Sequence, residues 1–128
     1  MSDRYAIVHP DEVPAEEFIT SSTTVHKLTE PLGCRRVRIN RVIIEPGEVT
    51  EPHTHPGQEE VFVAWTDAQI EISDELHAVE AGSVVRVRED VVRNLVNRTD
   101  TERHVWLAFG APPVGSIDDF GAFELATE

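Results

Sequence analysis

The sequence predicts an all-β sandwich or barrel, and three observations carry that expectation. From Arg35 onward, β-branched runs of four to eight residues alternate with turn residues at intervals of about ten positions. No internal repeat, low-complexity block or Gly/Ser linker divides the chain. At 128 residues with 40% hydrophobic content, it has the size and composition of one globular domain around one core.

Residues 1–34 read as an N-terminal arm with a first strand, 35–110 as the barrel and 111–128 as a C-terminal tail. In the arm, Pro14-Ala15-Glu16-Glu17-Phe18 sets proline at a first helical position ahead of two acids, which suits a short helical turn between Pro10 and Thr20. The first barrel run, 36–44, stops at Glu45-Pro46-Gly47. Runs at 59–65, 69–72, 76–79, 83–88 and 91–96 follow, each closed by acids, Gly, Ser, Thr or Asn, and 104–109 ends at Gly110-Ala111-Pro112-Pro113. The tail carries Phe120 and Phe123 and reads as a strand or turn wrapped against a neighbouring surface.

Acids outnumber bases 24 to 11, a net charge of −13, which disfavours nucleic acid and anionic membranes as partners. Lys27 is the only lysine, and this acid-rich, lysine-poor balance matches proteins that stay hydrated in strong brine. The basic residues cluster: positions 35–41 sum to +4, positions 82–98 to +2, and the remainder to −19. On a strand, Arg36, Arg38 and Asn40 share one face and Arg41 takes the other, although parity alone does not say which face lines the interior. If the Arg38/Asn40 face points inward, a basic pocket sits inside an acidic shell and suits a small carboxylate or phosphate. Cys34 has no partner for a disulfide and reads as a small packed thiol in a reducing, cytoplasmic interior; the first residues lack the apolar region of a signal peptide.

The stretch that carries chemistry is 47–67. His53 and His55 are two apart, so a strand points both imidazoles to one face, and Pro56-Gly57 then turns the chain to bring an acid back beside them. Two histidines and one carboxylate with open positions suit Fe(II), Mn(II), Ni(II) or Zn(II).

This stretch resembles the first motif of the cupin superfamily, Gly-x5-His-x-His-x3,4-Glu-x6-Gly. Gly47, His53, His55 and Glu60 stand in place, and Asp67 replaces the closing glycine. Downstream, Gly82 and Asn97 hold the two ends of the second motif, Gly-x5-Pro-x-Gly-x2-His-x3-Asn. Its middle is changed: Arg88 replaces proline, Asp90 glycine and Arg93 the histidine that would be a fourth metal ligand. The resemblance implies a double-stranded β-helix, or jelly roll, with a ligand cavity, a homodimer, and a metal on His53, His55 and Glu60.

Arginine keeps its proton and cannot ligate a cation, so two arrangements stay open. In one, a three-ligand metal site persists and Arg93 meets an anionic substrate bound to the metal, as in a dioxygenase, isomerase or lyase. In the other, Arg93 pairs with Glu60, no metal binds, and the barrel is a non-catalytic small-molecule binder or sensor. His104, on the last run, stands as an alternative replacement ligand. His9, His26 and His77 read as isolated, and Trp65 and Trp106 as core or dimer packing.

Overall fold

The computed structural model describes residues 4–18, 23–113 and 124–126. Two antiparallel sheets face each other across one core. In chain order the strands are β1 (Ala15–Glu17), β2 (Thr24–Lys27), β3 (Arg38–Ile44), β4 (His53–Thr54), β5 (Glu59–Ala64), β6 (Ala68–Ile72), β7 (Glu75–Val79), β8 (Val84–Val87), β9 (Arg93–Val96), β10 (His104–Ala111) and β11 (Glu124–Leu125). One sheet runs β1-β2-β3-β10-β5-β8 and the other β11-β4-β9-β6-β7. From β3 onward each strand crosses to the other sheet except at the β6–β7 hairpin, while β1 and β2 extend the sheet of β3, and the all-β double-stranded β-helix is present. Among the described residues no helix is long and apolar enough to cross a membrane.

The N-terminal region differs in detail from the sequence reading. The helical turn is a 3-10 turn at Pro10–Glu12, capped by the Asp11 amide donating to His9 Nδ1. Pro14 to Phe18 is extended instead, because Ala15, Glu16 and Glu17 pair with His26, Val25 and Thr24. Tertiary ladder bonds outweigh a weak local helical preference, and a proline just ahead of an edge strand loses no ladder bond. A four-residue helix, α1 (Thr29–Leu32), was not foreseen; it ends at Gly33, whose φ of 77° is the left-handed conformation that glycine adopts without strain. Phe120 and Phe123 lie outside the described residues.

The barrel interior has an apolar end and a polar end, and the ladder shows why. Across the six-stranded sheet, Trp106 on β10 sits between Val42 on β3 and Ala64 on β5, and Ala108 sits between Asn40 and Phe62. One step further along, Gly110 sits between Arg38 and Glu60. Ile44, Val42, Phe62, Ala64, Ile70, Leu95, Trp106 and Ala108 fill the apolar end, where Phe62 and Trp106 meet edge to face at 5.8 Å. Beneath the strands, buried Asn97 donates to the Ile44 and Glu102 carbonyls at 2.9 and 2.6 Å, tying the loop before β10 to the end of β3.

Candidate metal and anion site

Four strands bring the polar end together. His53 opens β4, directly opposite Arg93 on β9. After His55 the chain reverses through Pro56-Gly57, with the Gln58 amide donating to the His55 carbonyl at 3.0 Å and Gly57 at φ 77°, a turn that needs glycine at its third position. That reversal returns Glu60 on β5 to the histidines. The ligating atoms of His53, His55 and Glu60 all lie within 4.8 Å of one another. A cavity of about 30 Å³ touches all three and is lined further by Phe18, Thr50 and Leu95.

The His53 tautomer and the ionised Glu60 carboxylate suit a cation. His53 Nδ1 is 2.7 Å from the Glu51 carbonyl, which places a proton on Nδ1 and leaves Nε2 with its lone pair. Burial above all, with the Arg93 and Arg38 charges, holds His53 below the usual histidine pKa, against the Glu51 carbonyl and Glu60. Burial pushes the Glu60 carboxyl up, but the charges of Arg38, His55 and Arg93 and the Arg38 hydrogen bond outweigh it and hold Glu60 ionised. Its two oxygens are used differently. Oε2 accepts from Arg38 Nη2 at 2.7 Å, whereas Oε1 has no hydrogen bond and faces His55 Nε2 at 3.5 Å. Arg38 thus orients the carboxylate while leaving one oxygen aimed at the imidazoles, the role of a residue behind a metal ligand.

Arg93 joins these groups. Its Nη2 donates to the Arg88 carbonyl at 2.9 Å, its Nε is 3.8 Å from Glu60 Oε1, and neither Nε nor Nη1 has a hydrogen-bond acceptor. Burial first, then the charge of Arg38, lowers its pKa from the ordinary arginine value, and Glu60 opposes this. The guanidinium remains a cation.

The sequence did not single out Arg38 as a site residue, nor Gln58 or Gly110 at all. Arg38 has zero exposure, and its Nε donates to Gln58 Oε1, while Gln58 Nε2 donates to the Pro112 carbonyl at 3.1 Å. The Arg38/Asn40 face does point inward, which parity left open because β3 carries apolar residues on both faces: Val42 and Ile44 inside, Ile39 and Ile43 outside. The other basic residues turn outward and pair at the surface, Arg41 with Asp11, Arg86 with Glu59 and Arg98 with Glu71. His104 is buried elsewhere, with Nδ1 3.3 Å from the Val96 carbonyl, and is not part of the cluster. Trp106 is core, Trp65 is exposed, and Cys34 is half-buried.

No curated protein matches the chain in sequence. Solved structures resemble it in fold. An uncharacterised conserved protein with a double-stranded β-helix domain from Klebsiella pneumoniae superposes with a TM-score of 0.70 at 16% identity, covering 95% of this chain and 97% of that one. A protein described as a predicted oxalate decarboxylase from Thermotoga maritima gives 0.71 at 16% identity, over 84% and 99%. A formate complex of oxalate decarboxylase from Lactobacillus farciminis gives 0.68 at 20% identity, over 84% of this chain and 33% of that one. The model of the cupin domain family matches residues 40–110, more than half of the sequence and the span that holds His53, His55, Glu60 and Arg93. By that match, and by the two-sheet barrel built around it, the chain belongs to the cupin family.

Proposed function

We propose that this cupin binds a small anion at the polar end of its barrel, next to a divalent transition metal ion held by His53, His55 and Glu60. One observation carries the anion: the Arg93 guanidinium is fully buried, and its Nε and Nη1 have no hydrogen-bond acceptor. Buried cationic donors left without an acceptor are strongly unfavourable, so a bound anion that accepts from Arg93 is favoured. The cavity of about 30 Å³ beside His53, His55 and Glu60 has room for about two water-sized groups, which limits a ligand there to the smallest anions. The oxalate decarboxylase of similar fold that was solved as a formate complex is a precedent for a protein with this fold binding an anion of that size.

Iron, manganese, nickel or zinc suits the donor set, and when bound would supply Lewis-acid or oxygen-binding chemistry of the kind used by dioxygenases, isomerases and lyases. This chain's own residues then divide the work. His53 and His55 offer imidazole nitrogens, Arg38 aims the Glu60 carboxylate, and Arg93 neutralises the substrate charge. A second reading is favoured by the Arg38–Glu60 bond, which already satisfies half of the carboxylate: the same pocket acts as a metal-free anion binder or sensor. The outer face of the six-stranded sheet carries Ile39, Ile43, Val61, Val63, Val105, Leu107 and Phe109 beside exposed Trp65. An apolar sheet face on a molecule of charge −13 is suited to cover by a second copy, giving a homodimer.

The test is elemental analysis of protein purified without chelator or affinity nickel, together with thermal shift against formate, acetate and phosphate. Near-stoichiometric transition metal that is lost in His53→Ala supports the metal reading. A midpoint raised by one of the anions, with no metal, supports the sensor reading. Neither metal nor any anion-dependent shift sinks both.

A further inference from the structure

Resting on the reading that His53, His55 and Glu60 hold a cation, we infer that Arg93 makes metal binding depend on the anion: cation and small carboxylate enter this pocket as a cooperative pair. The argument is the position of the Arg93 charge beside a ligating carboxylate. Imidazoles ligate as neutral groups. A divalent ion held by these groups and by Glu60 places two positive charges beside the Arg93 guanidinium, which is fully buried. Glu60 Oε1, the oxygen without a hydrogen bond, has Arg93 Nε 3.8 Å away, so a cation ligated there lies close to a guanidinium that cannot move off easily. The Nη2 end of that guanidinium is tethered to the Arg88 and Val87 carbonyls, and His53 lies directly across the ladder from Arg93.

An anion between the two cations removes the repulsion and supplies an acceptor to Arg93 Nε and Nη1, which have none. Each ligand then strengthens the other by the same factor, as linkage requires. Arg93 is therefore a specificity-determining residue. It selects for negatively charged ligands of a few heavy atoms and against neutral ones of equal size, and it keeps the metal site weak until such a ligand is present.

The experiment is Mn(II) binding to the full chain at constant ionic strength, read from loss of the free-ion EPR signal, with and without sodium formate. Wild-type affinity for Mn(II) is expected to rise about tenfold or more at saturating formate, and formate affinity, read by thermal shift, to rise by the same factor with Mn(II). Arg93→His, which replaces the charge with a fourth donor, is expected to bind Mn(II) without formate and to respond to it less than about twofold. Arg93→Gln removes the charge without adding a donor and is also expected to lose the formate dependence, which keeps the test open if the histidine variant misfolds. Equal wild-type affinity with and without formate overturns the coupling while leaving the metal site standing, as does a wild-type formate response in Arg93→Gln. No Mn(II) uptake by folded wild type in either condition overturns the metal reading itself, and the coupling with it.

Discussion

Arg38 and Glu60 lie on strands that are not neighbours. β10 runs between β3 and β5, and the two side chains meet across Gly110, with Arg38 Nη2 donating to Glu60 Oε2 at 2.7 Å. The absence of a side chain at Gly110 is what opens that crossing. A Cβ there would lie 2.6 Å from Gln58 Cδ and 2.7 Å from Arg38 Nε, closer than carbon atoms pack.

Gly110→Ala is therefore expected to push Arg38 and Gln58 off their bonds and to lower stability by about 1–3 kcal/mol in urea unfolding. It should also abolish any anion-dependent thermal shift, since the guanidinium that orients Glu60 is displaced. A variant with wild-type stability and wild-type anion response would show that the crossing does not need the space.

Glu60→Gln removes the only buried carboxylate among the described residues and sets a neutral amide against the Arg38 and Arg93 guanidiniums. The expected cost is about 3–5 kcal/mol, the usual consequence of stranding a buried charge. Arg38→Met acts in the opposite electrostatic sense, because it takes a positive charge away while Arg93 remains near the carboxylate. Its cost should be clearly smaller. Equal losses for the two variants, measured side by side by urea unfolding, would show that the sign of the charge removed does not matter.

Much of this arrangement is legible in the sequence, and its limits have physical causes. His53, His55 and Glu60 are recognisable because their spacing on a hairpin fixes their convergence, and Arg93 because it occupies a motif position. Arg38 is not, because alternation assigns faces only when one face is polar, and Ile39 and Ile43 make the outer face of β3 as apolar as Val42 and Ile44 make the inner one. Gly110 reads as a turn residue ahead of two prolines, yet it lies within β10, where only the register against Arg38 and Glu60 reveals its use. The helical turn expected at Pro14 fails for a related reason: pairing of β1 with β2 is a long-range fact with no local signature.

Stability should fall on mild acidification through His26. Its ring lies 3.4 Å from Arg41 Nη2, and burial, then the Arg41 charge, lower its pKa against the weaker pull of Asp11. A histidine whose folded pKa is depressed takes up its proton more readily when unfolded, so its contribution is present above the unfolded value and is lost as pH falls below about 6.5. His26→Gln should flatten the stability profile between about pH 6.5 and 5 relative to wild type. Parallel profiles from urea midpoints would show that His26 does not contribute this slope.

Trp65 is 67% exposed at the border of the apolar outer face. Trp65→Asp places a charge where the proposed homodimer needs apolar contact and adds to a chain already at −13. Light scattering on eluting protein should report a dimer for wild type and a monomer for the variant. An unchanged mass would place any association elsewhere.

The pairing of His53 with Arg93 across the β4–β9 ladder has an evolutionary consequence. Because the backbone, not the side chain, sets where residue 93 stands, the position delivers whatever group is encoded there to the same point beside His53. Arginine and histidine codons can differ by a single base. A barrel that gates its cation with a guanidinium and one that grips it with a fourth imidazole are thus neighbours in sequence space, and a lineage can pass between them without rebuilding a single strand.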